Sequence, residues 1–429
     1  MSLEKVKTLL LTILVIVSVL LTWLIWNNQP NYDWLNLKDL DNISIAKEKK
    51  VSEVVLPVKV LYHENNATVG TVHEGEISRV MKILQNWNFD VSNTKMLPKN
   101  NLYALMSGPN RIELDFPNPV PFSVYRNVFN FTNKKMPNAN FDHIVLELKT
   151  GTKNSNHVYF ISLETNQVFE ASIDQKETQY LIKKLKDNQD LYKPYSAFPL
   201  AGNRKIYLPD ASPVVNRYKY ATTDIDIDKF KKALFRDPNF VKKVTDEYTN
   251  GNSLLKTDDD NQVFSFVNPG EDMSYGIMNN HLLMRAIDFI NQHSGWTDHF
   301  QYFEMNEKKN EVTFKLFKNG YPVFNSDGMA DIQEFWGGNE IYKYTRPYFL
   351  LSLNLPIKPA KVELDPAKQV VSRLQNDTSI NMNKVEEITI GYHLSKDGNG
   401  EGILSFQPAW YYCYNGTWKK VGGDGNGLE

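Results

Sequence analysis

Nineteen successive residues from Thr8 to Trp26, TLLLTILVIVSVLLTWLIW, carry no charge, and a helix of about that length crosses the roughly 30 Å hydrocarbon core of a bilayer. No later stretch has this character. After Pro30 the apolar positions fall into short periodic runs. Ile77, Val80, Met81 and Leu84 recur at helical spacing, whereas Ile144, Leu146 and Leu148 alternate as strand residues do before a turn at Thr150-Gly151. Phe230, Ala233 and Leu234 mark a short amphipathic helix, and Leu282, Leu283, Ala286, Ile287 and Ile290 a stronger one. Val312, Phe314 and Leu316 share a strand face that runs into Asn319-Gly320, a dipeptide suited to a two-residue turn with positive φ at both positions.

Toward the C-terminus, Asp365 and Pro366 supply an N-cap and a first helical position for a helix carrying Val370, Val371 and Leu374. Ile388 to Leu394, Ile403 to Phe406 and Trp410 to Tyr414 read as strands, and Asn415-Gly416 as a second hairpin turn. Helix, strands and an Asn-Gly turn thus follow in the same order in residues 281–324 and 366–421, a weak internal repeat of two α/β units. Turn residues from Phe198 to Pro213 and the prolines of Leu355-Pro-Ile-Lys-Pro359 suggest boundaries, since proline cannot donate to a sheet ladder. The pattern predicts an α+β protein, a mixed α/β multidomain body behind one N-terminal transmembrane helix. Its expected parts are a cytoplasmic stub at 1–7, the anchor at 8–26, an N-terminal extracytoplasmic domain at 31–205, a central α/β domain at 206–354 and a C-terminal α/β domain at 355–421.

Lys5 and Lys7 precede the apolar segment, while Asn27, Asn28, Gln29, Pro30 and Asp33 follow it without a nearby base. The positive-inside rule then leaves the N-terminus in the cytoplasm and the body outside the cell membrane, with Trp23 and Trp26 at the outer headgroups. A secretory signal would be shorter and end in small residues, whereas Trp-Leu-Ile-Trp-Asn-Asn-Gln follows here, which favours an uncleaved anchor. At about 100° per residue Thr8, Thr12, Ser18 and Thr22 fall within roughly 120° of arc. Small hydroxyl side chains let a second transmembrane helix approach and hydrogen-bond, so these four form a candidate partner-helix face. The competing reading, that each hydroxyl bonds its own i−4 carbonyl, stays open.

Composition narrows the functional classes. Apolar residues make up 41% and charged residues 23%, the balance of a folded chain rather than a disordered one. A net charge of -2 provides no field for nucleic acid, and none is expected as a partner. Cys413 is the single cysteine, so intrachain disulfides are excluded, and in its strand it reads as a small buried hydrophobe rather than a reactive thiol. Sequons begin at Asn42, Asn66, Asn130, Asn376 and Asn415, the chance yield of an Asn-rich chain.

The chemistry-bearing motifs are fragmentary. Ser253-Leu-Leu-Lys256, Ser352-Leu-Asn354 and Lys149-Thr-Gly151 imitate the S-x-x-K, S-x-N and K-T-G elements of penicillin-recognising enzymes, but the last comes first and reads as a hairpin tip. They are all that supports the alternative of a membrane-tethered wall hydrolase or transpeptidase. Asp397-Gly-Asn-Gly-Glu-Gly402 opens like an EF-hand loop, yet Pro408 occupies the position that requires glutamate. Asp258-Asp-Asp260 reads as a hydrated loop, and His293 and His299, six residues apart, as surface or edge residues without a shared face for a metal. No catalytic residue, cofactor or metal is expected.

Longer segments carry a resemblance. Lys7 to Val15, Leu21 to Trp26 and Gln29-Pro30 resemble the start of the YycH proteins of Gram-positive bacteria. PLAGNRKIYLPDASP from Pro199, FKKALFRDPNFV from Phe230, SGWTDHFQYF from Ser294, LFKNGYPVFNSDG from Leu316 and IYKYTRPYF from Ile341 continue the resemblance in order over nearly the whole chain. It implies an accessory regulator rather than an enzyme, anchored by one helix, paired with the similar protein YycI and acting on the sensor kinase WalK (YycG) of the WalK–WalR system controlling cell-wall metabolism. It also implies that the two C-terminal domains share a YycI-like plan, and that the membrane helix contacts partner helices.

Overall fold

The computed structural model describes Lys7, Leu11, Leu14, Val15, Val17 and Ser18, then residues 45–65, 67–133, 136–148, 155–200, 204–271, 281–293, 295–355, 359–398 and 402–423. The chain divides into two compact units, Met1–Ile43 and Ser44–Glu429. In the first, the six described residues are helical, and Leu11, Leu14, Val15 and Val17 are each between 44% and 65% exposed. Among the described residues no helix is long and apolar enough to cross a membrane. The expected anchor contacts Lys5, Thr8, Thr12, Thr22, Trp23 and Trp26 lie outside the described residues; of that set only Lys7 and Ser18 are described, both exposed.

The second unit is mixed α+β and is built around two sheets. Its first lobe runs α1 (Val51–Val54), β1 (Lys59–His63), β2 (Thr68–Thr71), α2 (Glu74–Leu84), β3 (Asn88–Met96), α3 (Lys99–Met106), β4 (Arg111–Pro121), α4 (Phe122–Tyr125), β5 (Asn130–Phe131) and β6 (Asn140–Glu147). β7 (Ser155–Ser162), β8 (Gln167–Asp174), α5 (Gln175–Asp187), β9 (Lys193–Pro199) and β10 (Lys205–Pro209) complete it. The strands form one sheet in the order β10-β9-β2-β1-β4-β6-β7-β8-β3-β5. α2 begins where His73 accepts the Glu76 N–H and the acids Glu74 and Glu76 meet the positive helix end, and it buries Ile77, Val80, Met81 and Leu84 as their spacing requires. β6 departs from simple alternation: Phe141 through Glu147 are all buried, because this central strand is covered on both faces. Part of the turn-rich stretch near Pro199 is in fact a hairpin, β9 paired with β10, which extends the first sheet as far as Pro209.

The second lobe opens with β11 (Val214–Asp224), α6 (Ile227–Leu234), β12 (Lys242–Val244), β13 (Glu247–Thr249), β14 (Leu254–Asp258) and β15 (Val263–Val267). It continues through α7 (Leu282–Gln292), β16 (Phe300–Asn306), β17 (Glu311–Lys318), β18 (Tyr321–Phe324), β19 (Asp331–Trp336), β20 (Ile341–Pro347) and β21 (Phe349–Asn354). β22 (Ala360–Glu363), α8 (Ala367–Asn376), β23 (Val385–Lys396), β24 (Ile403–Tyr414) and β25 (Thr417–Lys420) follow. Strands from both sides of the 354/355 junction share this sheet, since β11 pairs with β21, β22 and β24, and β18 pairs in parallel with β23.

α7-β16-β17-β18 and α8-β23-β24-β25 repeat one plan, each closing with an Asn-Gly hairpin. Asn319 and Gly320 have φ of 50° and 81°, Asn415 and Gly416 of 51° and 75°, the backbone a primed turn needs. Two local expectations shift. Pro366 occupies the N-cap with ψ of 146°, so the helix starts at Ala367, and Asp365 pairs with Arg373 at 2.7 Å instead of capping. The two expected strands around Pro408 are one strand, β24. Its outer neighbour changes there, from β11 as far as Phe406 to β25 from Tyr411, so the proline nitrogen falls in the gap between ladders.

The lobes share one continuous core. β16 lies beside β4, where the Tyr302 hydroxyl donates to the Pro119 carbonyl at 2.7 Å and the Met305 N–H to Asn118 Oδ1 at 3.1 Å. The first Asn-Gly tip seats on α2, with the Gly320 N–H donating to Glu74 Oε1 at 2.7 Å, and a Cβ at Gly320 would collide with the Val72 carbonyl. Gly416, at the equivalent tip, has no neighbour within 4 Å of such a Cβ. Gly416→Ala should therefore cost only its positive-φ strain, about 1 kcal/mol. Gly320→Ala adds overpacking and should cost roughly 3 kcal/mol or more. Urea unfolding of the two variants side by side reads the difference; equal losses would mean that the first tip is not seated.

Candidate functional site

The first sheet carries a polar face that later elements bury. Along β4, Arg111, Glu113 and Asp115 alternate with Ile112, Leu114 and Phe116, and the apolar set faces the main core. Register places Lys59 of β1, Asp115 of β4 and His143 of β6 in one cross-strand row, with Glu113 one same-face row away. Water is kept from this face on several sides. The Tyr207 ring of the β9–β10 hairpin stands edge-on to His63 at 4.9 Å, Tyr195 lies beside Lys59, and Leu102 and Met106 of α3 cover Val145. Glu387 arrives from β23 in the other lobe.

The charges interlock. Lys59 Nζ lies 3.0 Å from Asp115 Oδ2, and His143 Nε2 lies 3.3 Å from Asp115 Oδ1 and 3.6 Å from Glu113 Oε1. His143 Nδ1 lies 2.5 Å from Asp142 Oδ1, whose other oxygen accepts the Leu163 N–H at 2.9 Å. His63 bridges Glu113 Oε2 at 2.9 Å and Thr68 Oγ1 at 3.0 Å. Across the lobe junction Arg204 Nη2 meets Glu387 Oε2 at 3.3 Å.

Burial by itself would discharge His143, but Asp115, hydrogen-bonded Asp142 and Glu113 outweigh it and raise its pKa to about 9. Burial likewise opposes ionisation of Asp115, yet Lys59 and His143 hold it below the usual carboxylate range. Glu387 is pushed upward by burial despite Lys59 and Arg204. A histidine that keeps its proton to about pH 9 has no lone pair to offer as a base in neutral solution. The arrangement is suited to fixing strand register and the lobe junction.

The other candidate residues are dispersed. Lys256 on β14 faces Glu247 at 3.6 Å, the Ser352 hydroxyl on β21 donates to the Ala221 carbonyl at 2.8 Å, and Lys149, Thr150 and Gly151 lie outside the described residues. Asp258 accepts from Asn261 at the β14–β15 turn, and Asp397 pairs with Lys219 at 2.5 Å. Cys413 is buried beside Glu386, which with burial pushes its thiol well up. His293 stacks on Phe289 at 4.1 Å, and His299 stands at the lobe junction between Glu74 and Gln301. A crevice there, lined by Leu56, Val58, Glu74, His299, Gln301 and Gly320, has about 20 Å³ of interior, room for little more than a water molecule. Among the described residues no three His, Cys, Asp or Glu side chains converge as a metal site.

Comparison with known proteins decides the family. The YycH protein N-terminal domain matches residues 4–190 and the YycH protein C-terminal domain matches residues 203–422. The chain belongs to the YycH family. It is 25% identical over 438 residues to the two-component system WalR/WalK regulatory protein YycH of Bacillus subtilis (strain 168), covering 97% of this chain and 96% of that protein. The crystal structure of YycH from Bacillus subtilis is similar with a TM-score of 0.75 at 22% identity, over 88% of this chain and 99% of that one. Lys59, Glu113, Asp115, Asp142 and His143 belong to the YycH N-terminal domain, and Glu387, whose charge acts on Lys59, to the C-terminal one, so the network spans the junction of the family's two domains.

Because His143 titrates near 9 when folded and near the ordinary 6.5 when unfolded, its contribution is whole below about pH 6.5 and is lost as pH rises through about 9. His143→Gln should destabilise the protein by about 3 kcal/mol at pH 6, with the gap closing toward pH 10. Denaturant midpoints across that range provide the measurement, and a gap that does not change with pH would show that the imidazolium charge is not what the site uses.

Proposed function

We propose that this YycH-family chain is a non-enzymatic, membrane-anchored regulator of a WalR/WalK-type two-component system. The observation that carries the reading is the end-to-end match, 97% of this chain against 96% of a protein named as a WalR/WalK regulatory protein. The finer elements rest on sequence and chemistry. Residues 8–26 serve as a single-pass anchor with the N-terminus in the cytoplasm and the two-lobed body outside the cell membrane. The exposed aliphatic side chains of Leu11, Leu14, Val15 and Val17 are suited to lipid. Partners are the sensor histidine kinase WalK (YycG) and the similar protein YycI, met through the Thr8, Thr12, Ser18 and Thr22 helix face and through the outer lobes.

Confinement to one bilayer raises the effective concentration of the partners, so weak contacts suffice to bias a kinase between two signalling states. A regulator of this kind needs surfaces, not a reacting group. Ser253, Lys256 and Ser352 are dispersed over separate hydrogen-bonding roles, so the hydrolase alternative gains no nucleophile and base from the motif residues that suggested it.

The test replaces Thr8–Trp26 with an unrelated transmembrane helix of equal length in the full chain and reads a promoter controlled by the response regulator. Expression of the native chain should shift that output relative to its deletion, and the swapped chain should lose most of the shift while staying in the membrane fraction. An output the same with and without the chain would sink the regulatory role; full activity of the swapped chain would move the working surface to the ectodomain.

A further inference from the structure

The first described residues of the body, Ile45–Lys50, do not join the lobe into which the chain next folds; they lie on the second lobe, at the loop between α7 and β16. Asn291, at the end of α7, holds Lys49 at both backbone groups, accepting its N–H at 3.0 Å and donating to its carbonyl at 3.0 Å. The Trp296 N–H donates to the Lys47 carbonyl at 3.2 Å, and the Trp296 indole N–H to Asn291 Oδ1 at 2.7 Å. Lys49 Nζ donates to the Asp298 carbonyl at 2.9 Å and stands 5.6 Å from the Trp296 ring centre. Gly295, at φ +73°, lies so close to the strap that a Cβ there would collide with the Ala46 carbonyl.

The receiving loop is fixed from below. Arg346 on β20, fully buried, donates to the Gly295 carbonyl at 3.1 Å and to Thr297 Oγ1 at 3.0 Å, and meets the Tyr344 hydroxyl at 3.0 Å. The carboxylates of Glu334 and Asp298 lie close enough to feel its charge, and its donors organise the seat for the strap. Beyond Lys50 the chain crosses to the first lobe, where the Val55 carbonyl accepts from the Tyr125 hydroxyl at 3.0 Å and the Val58 N–H donates to the Asp115 carbonyl at 2.8 Å.

We propose that Ile45–Lys50 is a releasable strap that couples everything N-terminal of it to the second lobe, with Asn291 as its clasp and Gly295 as its seat. Its role in signalling rests on the reading of residues 8–26 as a membrane anchor. With the strap closed, displacement of the anchor is delivered to the α7–β16 loop and, through Arg346, to the second sheet. With it open, six more residues join the leash and lengthen it by up to about 20 Å, so anchor and lobes move independently.

The experiment places nitroxides at Glu48→Cys and Lys308→Cys in the full chain reconstituted in lipid nanodiscs, where buried Cys413 stays unlabelled, and measures the distance distribution between them. The native background should give one narrow distribution, and Asn291→Ala and Gly295→Ala should each broaden it at least twofold with unchanged circular dichroism. A broad native distribution, or a narrow one in Asn291→Ala, overturns the strap. In cells, the promoter output of Asn291→Ala should match the chain-deletion level; native output with a broadened distribution overturns the coupling. If deletion itself leaves the output unchanged, the regulatory reading fails while the distances alone still decide the strap.

Discussion

A lysine, an aspartate and a histidine in one cross-strand row, taken out of water where two lobes meet, set the terms for the rest of this molecule. Lys59, Asp115 and His143 sit in register across β1, β4 and β6, each between 11% and 16% exposed at the side chain. A slip of one residue would turn Asp115 into the apolar core and Leu114 into the charged row. Any unmatched member would be a buried charge, far costlier than the pairs are favourable. The network therefore contributes specificity of register more than net stability, and Glu387, acting on Lys59 from the other YycH domain, extends that constraint across the junction.

Around this row the lobes are tied at independent points: the Gly320 tip on α2, and Tyr302 and Met305 on Asn118 and Pro119 of β4. One continuous core runs beneath them. Such a body is stiff by construction, since close-packed interiors transmit displacement rather than absorb it. The repeated α-β-β-β order shows how one plan takes two roles: the first Asn-Gly tip is inserted between elements, and the second is open.

Much of the architecture could be read from one-dimensional pattern. The helices at Glu74–Leu84, Ile227–Leu234 and Leu282–Gln292, both Asn-Gly hairpins and the repeated order of elements follow from local rules, in which side-chain period and turn chemistry act over a few residues. The alternation Arg111-Ile-Glu-Leu-Asp-Phe116 was equally legible as a strand. It reads, however, as a strand with one wet face, and nothing local says that Tyr195, Tyr207, α3 and Glu387 will cover that face. Pro408 misled for the same reason, because whether a proline breaks a strand depends on which neighbour would have received its missing N–H.

The order of residues settled the elements, the hairpins, the resemblance to a family and the one long apolar segment, because each depends on near neighbours or on uninterrupted hydrophobicity. Folding in three dimensions settled which charges lost their water, which of two like hairpins was seated, and on which lobe the strap came to rest. Those outcomes join residues such as Lys49 with Asn291, or Arg204 with Glu387, which are far apart along the chain. Contacts at that separation leave no periodicity to read, and their energies exist only once the intervening chain has closed.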